Sequence, residues 1–166
     1  MKNKIQIFKV VIISIIIFIV SIYIAFYLEE YYRKTIRFLF TTLNSNVSFH
    51  HPRKYYHFAS GAFVTTFGIF NVILFLALNK LNIKSKIINL FLLLLILVIS
   101  TITFCYFNSL FKVIECTACD DGKVKLTYDS VNYDLIFITS LLLSSTPILI
   151  SSILHWKKNK LRKVFP

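Results

Sequence analysis

The residues best suited to chemistry are two cysteines in a short polar stretch, residues 112–129. Cys116 and Cys119 are spaced C-x-x-C, and four of the chain's seven acidic residues lie in the same stretch. A thiol pair at this spacing forms a disulfide, contributes half of a zinc site, or exchanges electrons with other thiols. The stretch is therefore the first candidate for a functional site.

Three of the chain's four histidines supply the other metal-ligating groups. They lie in or just after a second polar stretch, which contains the first proline of the chain: His50, His51 and His57. Zinc is bound by thiolate at about 2.3 Å and by imidazole at about 2.0 Å. If the site binds zinc, we expect a histidine to face two separated sulfurs, whereas sulfurs bonded at about 2.05 Å would close the site to metal.

Three interpretations of the cysteine pair stay open. The first is a structural disulfide between Cys116 and Cys119, the second is zinc binding with a histidine, and the third is a membrane thiol-disulfide oxidoreductase that uses the same two residues. The chain has no glycine-rich phosphate loop, no H-E-x-x-H and no nucleophile elbow. We expect a structural or ligand-binding role for the Cys/His/Asp cluster rather than a catalytic one.

The composition predicts an integral membrane protein. Hydrophobic residues make up 57% of the 166 residues, charged residues only 16%, and the mean hydropathy is +0.71. Charges are absent from four runs, each of which approaches or exceeds the roughly 20 residues that cross a bilayer. A single domain, residues 1–166, is expected, with spans at about 5–28, 57–78, 87–107 and 133–155.

The polar segments that connect the spans predict a small structure outside the membrane. Val124, Leu126 and Tyr128 alternate with polar residues, and this period of two is typical of a strand. With residues 112–115 as the other strand, we expect a β-hairpin between spans three and four. The predicted fold is an all-α integral membrane protein, a four-transmembrane-helix antiparallel bundle with this hairpin. The outer loops are 29–56 and 108–132.

An apolar stripe in the first outer loop is expected to be helical. Its members recur at i, i+3, i+4 and i+7: Ile36, Leu39, Phe40 and Leu43. Two arrangements stay open, a helix on the membrane surface or a helix packed against the rest of the protein. The stripe is the nearest candidate by composition to cover the apolar side of the hairpin.

The basic residues predict the orientation. Eleven Lys and Arg residues fall on the side of the N-terminus, the 79–86 turn and the basic tail 156–166, against eight on the other side. The positive-inside rule then places both termini in the cytoplasm and the long loops outside the plasma (inner) membrane. The short 79–86 turn predicts that spans two and three are antiparallel neighbours. The basic residues responsible for the net charge of +12 flank the spans, so the lipid bilayer, not nucleic acid, is the expected partner.

Two resemblances and one further alternative complete the sequence evidence. The four-span topology is similar to that of DsbB-type disulfide-generating proteins, which carry a cysteine pair in each outer loop, whereas the first loop here has none. Residues 53–58 resemble the Asp-Lys-x-x-His-Phe signature of VanZ-like membrane proteins, with Arg53 in place of Asp. Neither assigns the chain to a family.

Asn71 and the hydroxyl-rich fourth span leave a small membrane transporter as an alternative, although Asn71 is expected to form an interhelical hydrogen bond.

Overall fold

The computed structural model describes residues 2–49, 60–79, 81–115 and 123–164. These residues form four helices and two short strands. In chain order they are α1 (Lys2–Leu43), β1 (Val47–Phe49), α2 (Gly61–Leu78), α3 (Ile83–Glu115), β2 (Val124–Leu126) and α4 (Tyr133–Val164). A single turn of 3-10 helix, Tyr128–Ser130, precedes α4.

All four helices are long and apolar enough to cross a membrane. The four predicted spans are confirmed as helices of that kind, which is the pattern of a multi-pass membrane protein. α1 is longer than its predicted span, because it continues without a break to Leu43. No Gly or Pro interrupts it, and ion pairs at i,i+4 join Glu29 to Arg33 and Glu30 to Lys34.

The helices form a ring in the order α1, α2, α4, α3. α1 packs against α2 and α3, and α4 packs against the same two helices from the other side. α1 and α2 are antiparallel and approach closely at Gly68, where an added Cβ would lie 2.8 Å from Phe18. α2 and α3 run in opposite directions as expected, but the main partners of α2 are α1 and α4 rather than α3.

The predicted β-hairpin is wrong. Residues 112–115 are the last residues of α3, and β2 pairs with β1 instead. The two strands are parallel, with Val47 opposite Val124 and Phe49 opposite Leu126. The period of two in residues 124–128 identified a strand correctly, but a local pattern carries no information about the partner strand.

The sheet lies at the C-terminal ends of α1 and α3. We call these helix ends, with the strands and turn that follow them, the cap: residues 29–49, 105–115 and 123–132. Its core joins the apolar stripe of α1 to both strands and is completed by Cys105 and the first turn of α4: Ile36, Phe40, Val47, Cys105, Val124, Leu126, Val131, Tyr133 and Ile136. The stripe therefore covers the apolar side of β2, as predicted, and residues 35–43 continue α1. Burying each large apolar side chain contributes about 1.5–3 kcal/mol.

Candidate functional site

A buried ion pair lies where the cap meets the bundle. Glu29 is only 3% exposed, and its Oε1 accepts a hydrogen bond of 2.8 Å from Nε of Arg33. Nη2 of Arg33 lies 2.6 Å from the same oxygen. The guanidinium also lies over the ring of Tyr133, 4.9 Å from its centroid. The i,i+4 spacing on α1 explains the pairing, and the contact with Tyr133 joins it to α4.

Ser60 connects this ion pair to two further helices. Its backbone N–H donates to Oε2 of Glu29 at 2.8 Å, and its hydroxyl donates to Oδ2 of Asp134 at 2.7 Å. The same hydroxyl caps α2 by accepting from the N–H of Phe63 at 3.2 Å. We call Glu29, Arg33, Ser60 and Asp134 the polar network. It fixes the starts of α2 and α4 against the middle of α1.

Helix dipoles compensate the charge of the polar network. Two carboxylates and one guanidinium leave a formal charge of −1 in a mostly buried position. Ser60 is the N-cap of α2, and Asp134 lies in the first turn of α4. Helix N-termini carry a partial positive charge, so both ends stabilise the excess carboxylate.

A polar cavity of about 280 Å³ opens beside the network. It is lined by Arg33, Asp129, Val131, Asn132, Tyr133 and Asp134. Within the described residues, Oδ1 of Asp134 and the hydroxyl of Tyr32 are buried without a hydrogen-bond partner. Of these two residues, only Asp134 lines the cavity, where its Oδ1 could accept a hydrogen bond from a small polar group.

The residues predicted from the sequence lie outside the described residues: Cys116, Cys119, His50, His51 and His57. The zinc, disulfide and redox predictions therefore stay predictions, and the disulfide has no support from the structure. Cys105, the third cysteine, is a buried free thiol in the cap core. Among the residues described, no group of three or more His, Cys, Asp and Glu side chains could hold a metal ion.

The polar residues of the spans make mainly local contacts. The Asn71 amide donates to the carbonyl of Phe67 in its own helix at 2.9 Å, so the expected interhelical bond is not the one observed. An interhelical bond occurs instead between Ser151 of α4 and Oδ1 of Asn89 of α3, at 3.0 Å. Asn89 is buried, and this bond joins α3 to α4 far from the cap.

Comparisons with protein-family models, curated proteins and solved structures found no match to this chain. Its functional interpretation therefore rests on its own residues.

Proposed function

We propose that this protein is a multi-pass membrane protein whose cap faces outward from the plasma membrane and has a structural or ligand-binding role, not a catalytic one. The observation that carries the proposal is the pairing of β1 with β2. It joins the two long connections into one folded unit. Both segments that contain cysteine or histidine, 50–59 and 116–122, therefore begin and end on residues at the same end of the bundle.

Short connections tie one residue of each segment to the described structure. His57 is three residues from Ser60, which belongs to the polar network, and Cys119 is four residues from Lys123, which precedes β2. An extended chain spans at most about 3.3–3.6 Å per residue, so these anchors permit reaches of about 10 and 13 Å. A soft divalent cation such as zinc, held by the thiolates of Cys116 and Cys119 and by a histidine, is the ligand class that fits this set.

The outward orientation of the cap is supported by the basic residues and by helix lengths. α1 from Gln6 to Leu28 measures about 34 Å at 1.5 Å per residue, close to the thickness of a hydrocarbon core of about 30 Å. The polar network, which begins at Glu29, then lies at one boundary of the membrane. Because eleven of the nineteen basic residues lie on the opposite side, that side is assigned to the cytoplasm.

The test is a metal analysis and a thiol count on detergent-purified protein, with and without reductant. Metal binding predicts about one zinc ion per chain, which is lost in Cys116→Ser/Cys119→Ser and kept in the control Cys105→Ser. A structural disulfide predicts two additional thiols after reduction and no metal. Three thiols without reductant, together with no metal, would contradict both forms of the proposal.

The two alternative functions gain nothing from the described residues. A thiol-disulfide oxidoreductase rests on Cys116 and Cys119 alone, since Cys105 is buried in the cap core. A transporter built around Asn71 has to account for the hydrogen bond of that side chain to its own helix. Both stay predictions from sequence.

A further inference from the structure

The end of the bundle opposite the cap is strongly basic. It includes the start of α1, the connection between α2 and α3, and the end of α4. Its eleven basic residues are Lys2, Lys4, Lys9, Lys80, Lys84, Lys86, Lys157, Lys158, Lys160, Arg162 and Lys163. The five acidic residues that the structure describes all lie at the cap end: Glu29, Glu30, Glu115, Asp129 and Asp134. Asp120 and Asp121 lie outside the described residues, in the segment of the chain between α3 and β2.

The densest run of basic residues at this end of the sequence lies in a helical extension of α4. Charged residues begin at Lys157, and the helix continues past them to Val164. The nine residues 156–164 add about 13 Å of helix at 1.5 Å per residue. Five of the seven residues in 157–163 are basic. Successive residues of a helix are about 100° apart, so these five positions are distributed around the helix axis rather than on one face.

The acidic residues that the structure describes supply no negative charge to this extension, because all five lie at the cap end. α1 and α3 begin at the same end, and neither has an acidic residue in its first turn. Both helix starts add partial positive charge there, beside Lys2, Lys4, Lys84 and Lys86. An anionic neighbour would therefore complement the charge of this end.

We propose that the basic end of this protein, and the extension 156–164 in particular, selectively binds the headgroups of anionic phospholipids. Headgroups carry phosphate at the depth where α4 leaves the hydrocarbon, and clustered basic residues next to a spanning helix attract anionic lipid. Nucleic acid has the same phosphate chemistry, and the experiment below distinguishes it from lipid by adding RNA. The proposal is independent of the role of the cap and of which side of the membrane each end faces.

Trp156 provides the measurement, because it is the only tryptophan in the chain and directly precedes the basic residues. The full chain is reconstituted in vesicles of phosphatidylcholine and phosphatidylglycerol, with bromine on the acyl chains of one lipid or the other. Bromine quenches tryptophan on contact, so the ratio of quenching gives the relative affinity of the two lipids near Trp156. We expect a preference for the anionic lipid of about threefold or more, reduced by salt because exposed charges are screened.

Two variants separate selective binding from general membrane insertion. In the first, the five basic residues of 157–163 are changed to Gln, and we expect the preference to fall to about one while the helix content is unchanged. The matched control is Lys123→Gln/Lys125→Gln, which removes exposed charge at the cap end and should keep the preference. Equal quenching by both lipids in the unmodified protein would overturn the proposal. A preference for the anionic lipid that is unchanged in the variant with five substitutions would also overturn it. So would a response of Trp156 to added RNA at physiological salt that exceeds its response to anionic lipid.

Discussion

Replacement of Glu29 by Gln should loosen the cap. The substitution keeps the shape of the side chain but removes the charge that faces Arg33 in a mostly buried position. Removing one partner of a buried ion pair costs about 3–5 kcal/mol, because the remaining charge stays desolvated. The single carboxamide oxygen of Gln can still accept from Arg33, but its NH2 group replaces the oxygen that accepts from the Ser60 N–H at 2.8 Å, so we expect a loss of at least about 3 kcal/mol.

Glu30 provides a matched control on the same helix. It forms an ion pair with Lys34 at the same i,i+4 spacing and a similar distance, 2.7 Å, but both side chains are more than half exposed. Exposed pairs contribute about 0–1 kcal/mol. Glu30→Gln should therefore change the stability of the cap by less than about 1 kcal/mol.

Cys105 reports the opening of the cap, because it is fully buried in the cap core and reacts with a maleimide only after that core opens. The assay uses protein in which Cys116 and Cys119 are changed to Ser. A loss of about 3 kcal/mol corresponds to roughly a hundredfold faster labelling, since about 1.4 kcal/mol is a factor of ten.

Equal labelling rates in the Glu29→Gln and Glu30→Gln proteins would refute the assignment of Glu29 as a buried charge partner. A double variant, Glu29→Gln/Arg33→Met, tests the same reasoning in the other direction. Gln and Met are both neutral, so this double variant leaves no unpaired charge of the pair in a buried position. The double variant should therefore be labelled more slowly than Glu29→Gln alone.

Two further predictions concern the helix packing and the sheet. Gly68→Ala should destabilise the bundle by about 1–3 kcal/mol, because the new Cβ would lie 2.8 Å from Phe18. The control Gly61→Ala, with open space around its Cβ, should be neutral or slightly stabilising. Detergent-induced unfolding followed by circular dichroism compares the two variants. Ser48→Cys/Lys125→Cys should form a disulfide on mild oxidation, because these residues are paired across parallel strands about 4.8 Å apart. The control Ser48→Cys/Lys123→Cys, shifted by two residues, should cross-link more slowly. Non-reducing electrophoresis after cleavage between the two positions detects both cross-links.

The spans and the core of the cap were predictable from the sequence because both depend on local apolar patterns. Charge-free runs located four helices, and the spacing of Ile36 and Phe40 identified the face that meets Val124 and Leu126. Such patterns show which surface must be buried, and the cap offers few other apolar surfaces for it to contact.

The polar network was only partly predictable, for a related reason. The i,i+4 spacing of Glu29 and Arg33 favours an ion pair on α1, but it does not distinguish this buried pair from the exposed pair of Glu30 and Lys34 at the same spacing. The contacts that bury Glu29 come from Ser60, 31 residues away, and Ser60 in turn meets Asp134, 74 residues further on. No local pattern contains these partners.

The parallel sheet follows from the order of helices in the ring, and this explains why a hairpin was the wrong expectation. Two strands that are adjacent in sequence commonly pair with each other as a hairpin. Here α1 and α3 are neighbours and run in the same direction, because Leu97 packs against the cluster of Ala25, and Cys105 belongs to the same cluster as Ile36. The chain therefore leaves both helices at the same end, and the strands that follow them pair there in parallel. Any ligand held between segments 50–59 and 116–122 would thus depend on the packing of α1 against α3, and changes at that helix interface should alter its affinity without touching a ligating residue.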